Sequence, residues 1–462
     1  MATLARDIPR PRIFARINRD ILATLANPGP GWFAMMAVVL AVLAFGIFCL
    51  LYQIRNGLGV TGYANSVYWA VYITNFVFWV GIAHSGTLIS AILFLFRSRW
   101  RTSVYRVSEM MTVFAVMTAG LFPLIHLGRI WKFYYLLPYP NSRMLYPDFQ
   151  SPLIWDTFAV STYFTISSTF LFMGLIPDLA AARDAAEPGS WRHRLYRALS
   201  FGWQGTDREW RHFNRGYVFL AALATPLVLS VHSVVSWDFA AGIVPGWHST
   251  IFAPYFVAGA IFSGVAMVIT LVVPLRKWFG LEDYLDRNTF DNMAKLIVLT
   301  SSIVTYAYLT EFFMAWYSGS PFEKGTFWDR VSGDYWWAGW TMLICNSVVP
   351  LACWSRKVRR SIAAMFVISI FINIGMWFER FVIIVQSLQH DYLPAAWGPY
   401  KGPTWVEYGI TAGSFAWFLM YFLIGIKILP SVSVNEVKEA PPEALLKRLA
   451  AEGEPVAAER GR

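Results

Sequence analysis

The 462-residue chain is 56% hydrophobic and 17% aromatic, carries only 14% charged residues, and has a formal net charge of +10. A soluble domain of average makeup carries roughly a quarter charged residues, so this composition excludes an ordinary soluble globular protein. About ten apolar runs are long enough to cross a hydrocarbon core of roughly 30 Å, and in lipid such runs must be helices because the backbone has to satisfy its own hydrogen bonds.

Residues 1–31 form a polar, arginine-rich arm in which Ile8, Ile13, Phe14, Ile17, Ile21 and Leu22 recur at near-helical spacing. The arm has no continuous apolar segment, so it reads as an amphipathic helix on the inner membrane surface. The spans follow at 32–52, 67–96, 104–127, 152–182, 213–236, 250–275, 293–318, 335–355, 361–388 and 405–429. Residues 430–462 are rich in Pro, Ala and Glu and read as a mobile tail.

An even number of spans puts both termini on one side. Apart from Lys295 and Arg380, which lie inside spans, the Lys and Arg residues divide as 29 on that side and 7 on the other. By the positive-inside rule both termini are cytoplasmic. The net charge is then a consequence of topology, and no nucleic-acid partner is expected.

Span two contains Gly81-Ile82-Ala83-His84-Ser85-Gly86, and span six contains Gly259-Ala260-Ile261-Phe262-Ser263-Gly264 in the same register, 178 residues later. That offset also sets Asp334 opposite Asp156. An even number of spans separates the copies, which implies parallel repeats. The fold class is therefore all-α: a polytopic membrane protein with two parallel four-helix bundles and two flanking helices. The divisions fall at 32–66 (first flanking helix), 67–249 (first bundle, with the substrate site), 250–404 (second bundle) and 405–429 (second flanking helix).

Ionisable residues inside spans are costly and mark function. The topology puts His126 and Asp156 at the outer ends of spans three and four. His232 and Asp238 lie in the outer part of span five, with Glu311, Glu379 and Arg380 in the outer halves of spans seven and nine. A histidine and an aspartate at one interface can take two protons from a substrate that gives up two electrons, which is quinol chemistry. His84, deep in span two, with Glu109 and Asp178 toward the inner ends of spans three and four and Glu311 on the outer side, outlines a proton path. His232 and Asp238, six residues apart, point to different helix faces.

His84 is read as the only deeply buried histidine, so a transmembrane haem held by a histidine pair is not expected. Cys49, Cys345 and Cys353 form no Cys-x-x-Cys, so no metal centre is expected on this chain. Trp131, Tyr134, Tyr135, Trp155 and Tyr163 could line an apolar slot.

Pro123-Leu124-Ile125-His126-Leu127-Gly128-Arg129, Ser151-Pro152-Leu153-Ile154-Trp155-Asp156, Ser236-Trp237-Asp238-Phe239, Trp377-Phe378-Glu379-Arg380-Phe381 and the His84 segment together resemble the NrfD/polysulfide reductase membrane-subunit family. Within it, the chain is most similar to the quinol-oxidising membrane subunit of bacterial alternative complex III. The resemblance covers residues 30–430. It implies a haem-free subunit in the bacterial inner membrane that oxidises a quinol such as menaquinol, with no covalently bound cofactor. His126 and Asp156 would be the catalytic pair, with Asp238 and Arg380 completing the quinol site.

Implied partners are a periplasmic iron–sulfur subunit, a sister membrane subunit of the same fold, and multihaem cytochrome c subunits, together carrying the iron–sulfur clusters and c-type haems. Membrane lipid surrounds the assembly, and proton translocation is an implied possibility. The same fold run in reverse, as a quinone-reducing anchor of a molybdoenzyme complex, is the main alternative. A secondary transporter is the other.

Overall fold

A computed structural model describes residues 8–137, 151–392 and 400–453. The first residues of the arm, the last of the tail and Arg143 of the charge census lie outside the described residues. Among those described there are helices and no strands, and nine helices are long and apolar enough to cross a membrane.

An amphipathic helix α1 (Arg10–Ala23) precedes the first crossing, α2 (Pro30–Asn56). Next come α3 (Val71–Thr87), which runs on through a π turn at Leu88–Ile92 to Leu95, and α4 (Tyr105–His126). They are followed by α5 (Pro152–Ala185), a short α6 (Trp191–Leu199), and α7 (Asp207–Ala240). The second half holds α8 (Phe252–Trp278), α9 (Arg287–Tyr317), a short α10 (Pro321–Ser332) and α11 (Trp336–Leu343). It ends with α12 (Ile362–Phe381) and α13 (Trp405–Ile428). The segment expected to cross at 335–355 is helical but changes winding: α11 passes into a π turn at Ile344–Val348 and a 3-10 turn at Val349–Trp354. It therefore falls outside the nine regular spans.

Local chemistry sets the helix starts. Proline occupies the first turn of α2, α5 and α10, where its missing N–H costs nothing. Thr206 with Glu209, and Thr404 with Glu407, form capping boxes at α7 and α13 that satisfy otherwise orphaned N–H groups. At the end of α4, Gly128 takes φ +69°, a left-handed conformation that favours glycine.

Helices α3, α4, α5 and α7 pack as one group and α8, α9, α11 and α12 as another, joined along α3 and α8. The repeated small residues lie on that seam. A Cβ on Gly81 would meet Ser263 Oγ at 3.5 Å, and one on Gly264 would overlap Ser85. Lipid supplies no hydrophobic force between helices, so close backbone approach and interhelical hydrogen bonds hold such seams. The exposed Asp334 is no counterpart of the buried Asp156.

Helices α2 and α13 pair outside both groups, at Gly46 and Gly413, where a Cβ on Gly46 would sit 2.6 Å from the Gly413 Cα. Asn75 on α3 ties this pair to the bundle. Its Nδ2 donates to Thr411 Oγ1 of α13 at 2.8 Å, and its Oδ1 accepts from Trp377 Nε1 of α12 at 2.8 Å. Replacing Asn75 with Leu is expected to destabilise the protein by about 1–2 kcal/mol. A lowered melting temperature in detergent checks this, and an unchanged one refutes the bridging role.

Two expectations need correction. Ile13, Ile17 and Ile21 of α1 are buried within the protein, so the apolar face of that helix packs on the chain rather than on a membrane surface. The tail is also not mobile over residues 430–453. It folds into α14 (Val434–Glu439) and α15 (Glu443–Gly453), with Val434, Val437, Leu445, Leu446 and Leu449 buried. Arg16 of α1 pairs with Glu452, and Lys438 lies over the Phe14 ring, so the two chain ends pack together. The polar average of the tail hides its apolar residues from a reading by composition.

Candidate functional site

The predicted polar residues fall into three groups along the bundle. At the end opposite the chain termini, His126 closes α4, and its Nδ1 lies 3.1 Å from the hydroxyl of Tyr63 in the loop between α2 and α3. Asp156, just past the first turn of α5, and Asp238, near the end of α7, are both buried, and their carboxyls are neighbours. Two neighbouring carboxyls can bond each other only through a proton, so a pair of this kind is able to hold one proton and accept a second. Oδ1 of each has no hydrogen-bond partner among the described residues.

His126 and Asp156, expected as a catalytic pair, share no hydrogen bond among the described residues: Asp156 neighbours Asp238, and His126 meets Tyr63. Of the expected aromatic slot, Trp131, Tyr134 and Tyr135 are exposed at this end of the molecule. Tyr163 belongs deeper.

The second group lies in the interior. His84 of α3 and His232 of α7 are both fully buried, with ring centroids 4.4 Å apart. The sequence makes His84 the only deeply buried histidine; the structure corrects this, because His232, in the second half of α7, is equally buried beside it. The six residues that separate His232 from Asp238 on α7, nearly two turns, put it on another face, against α3. The rings touch, so no porphyrin plane fits between them. His84 Nδ1 donates to the Val80 carbonyl at 2.8 Å, which leaves its Nε2 as the lone-pair nitrogen.

On the other side of His84, the Tyr163 ring stacks at 5.0 Å. The Tyr163 hydroxyl bonds the Ala83 carbonyl at 3.0 Å and Thr87 Oγ1 at 2.7 Å. The π turn of α3 begins just after Thr87, and such turns recur at functional sites.

Arg380 belongs with this interior group. Its guanidinium pairs with Glu379 and lies 4.5 Å over the Phe256 ring, which in turn neighbours the His232 ring. Arg380 makes no hydrogen bond or ion pair with His126, Asp156 or Asp238 among the described residues. Glu379 also accepts from Tyr308, whose hydroxyl accepts from Asn346 Nδ2 at 2.9 Å. Glu311 faces Arg330 at 3.7 Å and lines a cleft of about 890 Å³ with Trp237, Thr310, His248, Glu323 and Phe327.

The third group lies toward the end that carries the termini. Arg106, 1% exposed, reaches Glu109 at 2.8 Å and Asp178 at 2.8 Å, and donates to the Gly174 carbonyl at 2.8 Å. Tyr217 donates to Glu109 at 3.3 Å. Asp178 Oδ1 accepts from the backbone N–H groups of Val434 and Asn435 and from Asn435 Nδ2. The charge census treats Arg106 as a cation at a span end. Its i, i+3 spacing from Glu109 signals only that the two share a helix face; the structure turns that face inward. No cluster of three or more His, Cys, Asp or Glu side chains suited to a metal occurs among the described residues.

These features define a polytopic helical membrane protein with a cluster of ionisable side chains at one end and a polar interior behind it. The chain belongs to the NrfD, polysulphide reductase, family, whose model matches residues 59–390. It is 27% identical to a putative dimethyl sulfoxide reductase membrane subunit of Halobacterium salinarum, over 92% of this chain and 96% of that one. It is 20% identical to a selenate reductase subunit of Mesobacillus selenatarsenatis, covering 85% and 93%. It is likewise 20% identical to an Hdr-like menaquinol oxidoreductase integral membrane subunit of Archaeoglobus fulgidus, covering 88% and 96%.

Proposed function

We propose that this chain is the quinol-oxidising membrane subunit of an oxidoreductase complex. The observation that carries the reading is the gathering of His126 and the buried Asp156 and Asp238 at one end of the first bundle. Oxidation of a quinol to a quinone releases two protons and two electrons. His126 Nε2 takes one proton, and the carboxyl pair, holding one already, takes the other. Neither acceptor has to accumulate two charges in a poorly solvating site. The electrons leave to an iron–sulfur partner on the outer face, and c-type haems on further subunits carry them on.

The relatives' names support this direction. Two are reductase subunits, and a reductase needs electrons delivered to it; the third names menaquinol. Menaquinol is accordingly the proposed substrate, and an assembly of the alternative complex III type, with a sister membrane subunit, is the proposed setting. The charge asymmetry supports placement in the bacterial cell membrane with both termini cytoplasmic.

The proton path is proposed in an altered form. His84, His232, Tyr163 and Thr87 form its interior, and Glu109 with Tyr217 its inner end. Asp178 anchors the Arg106 shared with Glu109, and Glu311 opens toward the cleft of the second bundle.

Addition of quinol to the purified complex is expected to reduce the partner's iron–sulfur clusters, followed by electron paramagnetic resonance. Asp238→Asn is expected to slow that reduction about 100-fold, the usual worth of a positioned proton acceptor. Clusters that stay oxidised in the wild type under excess quinol, yet reduce added quinone once charged, would establish the reverse direction instead.

A further inference from the structure

We infer that Tyr63 is a positioning residue for His126, and that the flanking pair α2 and α13 serves to hold it there. This rests on the reading of His126 as the proton acceptor for quinol. Among the described residues, the Tyr63 hydroxyl is the one hydrogen-bond partner of His126, at Nδ1. A neutral imidazole carries its proton on one nitrogen, and the partner of the other nitrogen decides which. When Nδ1–H donates to the Tyr63 oxygen, Nε2 presents a lone pair able to accept from a quinol hydroxyl. When the Tyr63 hydroxyl donates to Nδ1, Nε2–H faces outward and suits a quinone carbonyl. A phenol can do both, and once Nε2 has taken a proton the imidazolium still donates Nδ1–H to the same oxygen, so one side chain holds the ring before and after the transfer without moving it.

The loop that carries Tyr63 is held from the flanking pair. Gly62 N–H donates to Glu407 Oε2 at 2.7 Å, and Thr404 Oγ1 donates to the Val60 carbonyl at 3.0 Å. Both Glu407 and Thr404 belong to the capping box that opens α13. The same loop brackets His126 along the chain. Leu58 fills the space beside Gly128, where a Cβ would meet it at 2.8 Å. Gln53, at the end of α2, donates to the Ile125 carbonyl at 3.4 Å and accepts from the Tyr72 hydroxyl. Residues 53–63 thus contact the backbone on both sides of His126 and its ring. The α2–α13 pair lies outside both bundles, and this clamp is its direct connection to the proposed chemistry.

The test is a double-mutant cycle on the purified complex, with quinol oxidation read as kcat and KM separately across pH. Tyr63→Phe, which keeps the ring and removes the hydroxyl, is expected to lower kcat/KM roughly tenfold, the worth of one buried hydrogen bond, and to change the pH profile. Glu407→Ala, which loosens the strap and keeps the hydroxyl, is expected to lower kcat with the profile's shape retained. In a His126→Ala background, Tyr63→Phe is expected to add nothing.

Wild-type kinetics and pH profile in Tyr63→Phe, with His126→Ala impaired, would overturn the positioning role and leave the quinol reading intact. Additive effects of the two substitutions would also overturn it. Full activity in His126→Ala would instead remove the quinol reading itself. If Tyr63→Phe does not assemble, the same cycle run with Glu407→Ala decides: a loss that persists in the His126→Ala background refutes the clamp, and a loss that vanishes there supports it.

Discussion

His126→Ala is expected to lower quinol oxidation at least 100-fold in a complex that still assembles, and Asp156→Asn is expected to do nearly as much. The two losses have different origins. Removing the imidazole deletes one of two proton acceptors, and a positioned acid–base group contributes roughly 10²–10⁴ in rate. Asparagine at 156 keeps a hydrogen bond to Asp238 but cannot take up a proton, so the pair loses its capacity for the second one. Alanine at 126 opens the Tyr63 contact, yet α4 is held elsewhere by Gln53 on the Ile125 carbonyl, so assembly should survive. The measurement is quinol-dependent reduction of an electron acceptor, alongside the cofactor spectrum of the complex as a check on assembly. Turnover at the wild-type rate in either fully assembled variant would remove that residue from the chemistry.

The crossings are legible in the sequence because twenty or so apolar residues in lipid have one stable backbone solution. The family resemblance is also legible, carried by short polar motifs within those runs. Partner choice is not. The pairing of Asp156 with Asp238, of His126 with Tyr63 and of His84 with His232 depends on helix rotation and on which helices touch. Hydropathy leaves both open when all faces are apolar. Tyr63 gives no sequence signal because it lies in a short loop outside any span, with nothing local to mark it. His232 is missed as a partner of His84 because its spacing from Asp238 reads only as a difference in face, which does not say which helix that face meets. The tail fails for another reason. Its few apolar residues are diluted by charge, so composition hides two helices that pack against α1.

Replacing Arg106 with Leu is expected to be the most destabilising single change in the protein. Its guanidinium is buried and shared between Glu109 and Asp178, both also buried. Removing the cation leaves two carboxylates without their partner in a site that water does not reach. Breaking a buried ion pair from one side costs about 3–5 kcal/mol, and here two acids lose the same partner. The effect should travel beyond the cluster, because Asp178 also caps α14 through the N–H groups of Val434 and Asn435. An Asp178 that takes up a proton or turns away no longer holds those donors, so the tail should come loose. Two results are therefore expected in Arg106→Leu: a sharply lower melting temperature in detergent, and protease cleavage within residues 434–453 where the wild type resists. Adding Glu109→Gln and Asp178→Asn to Arg106→Leu removes the uncompensated charges and should recover much of the stability. Asparagine at 178 still offers a carbonyl oxygen to α14, so the tail should be protected again. An Arg106→Leu protein with wild-type melting behaviour and a resistant tail would show that the cluster is not what holds this end of the molecule together.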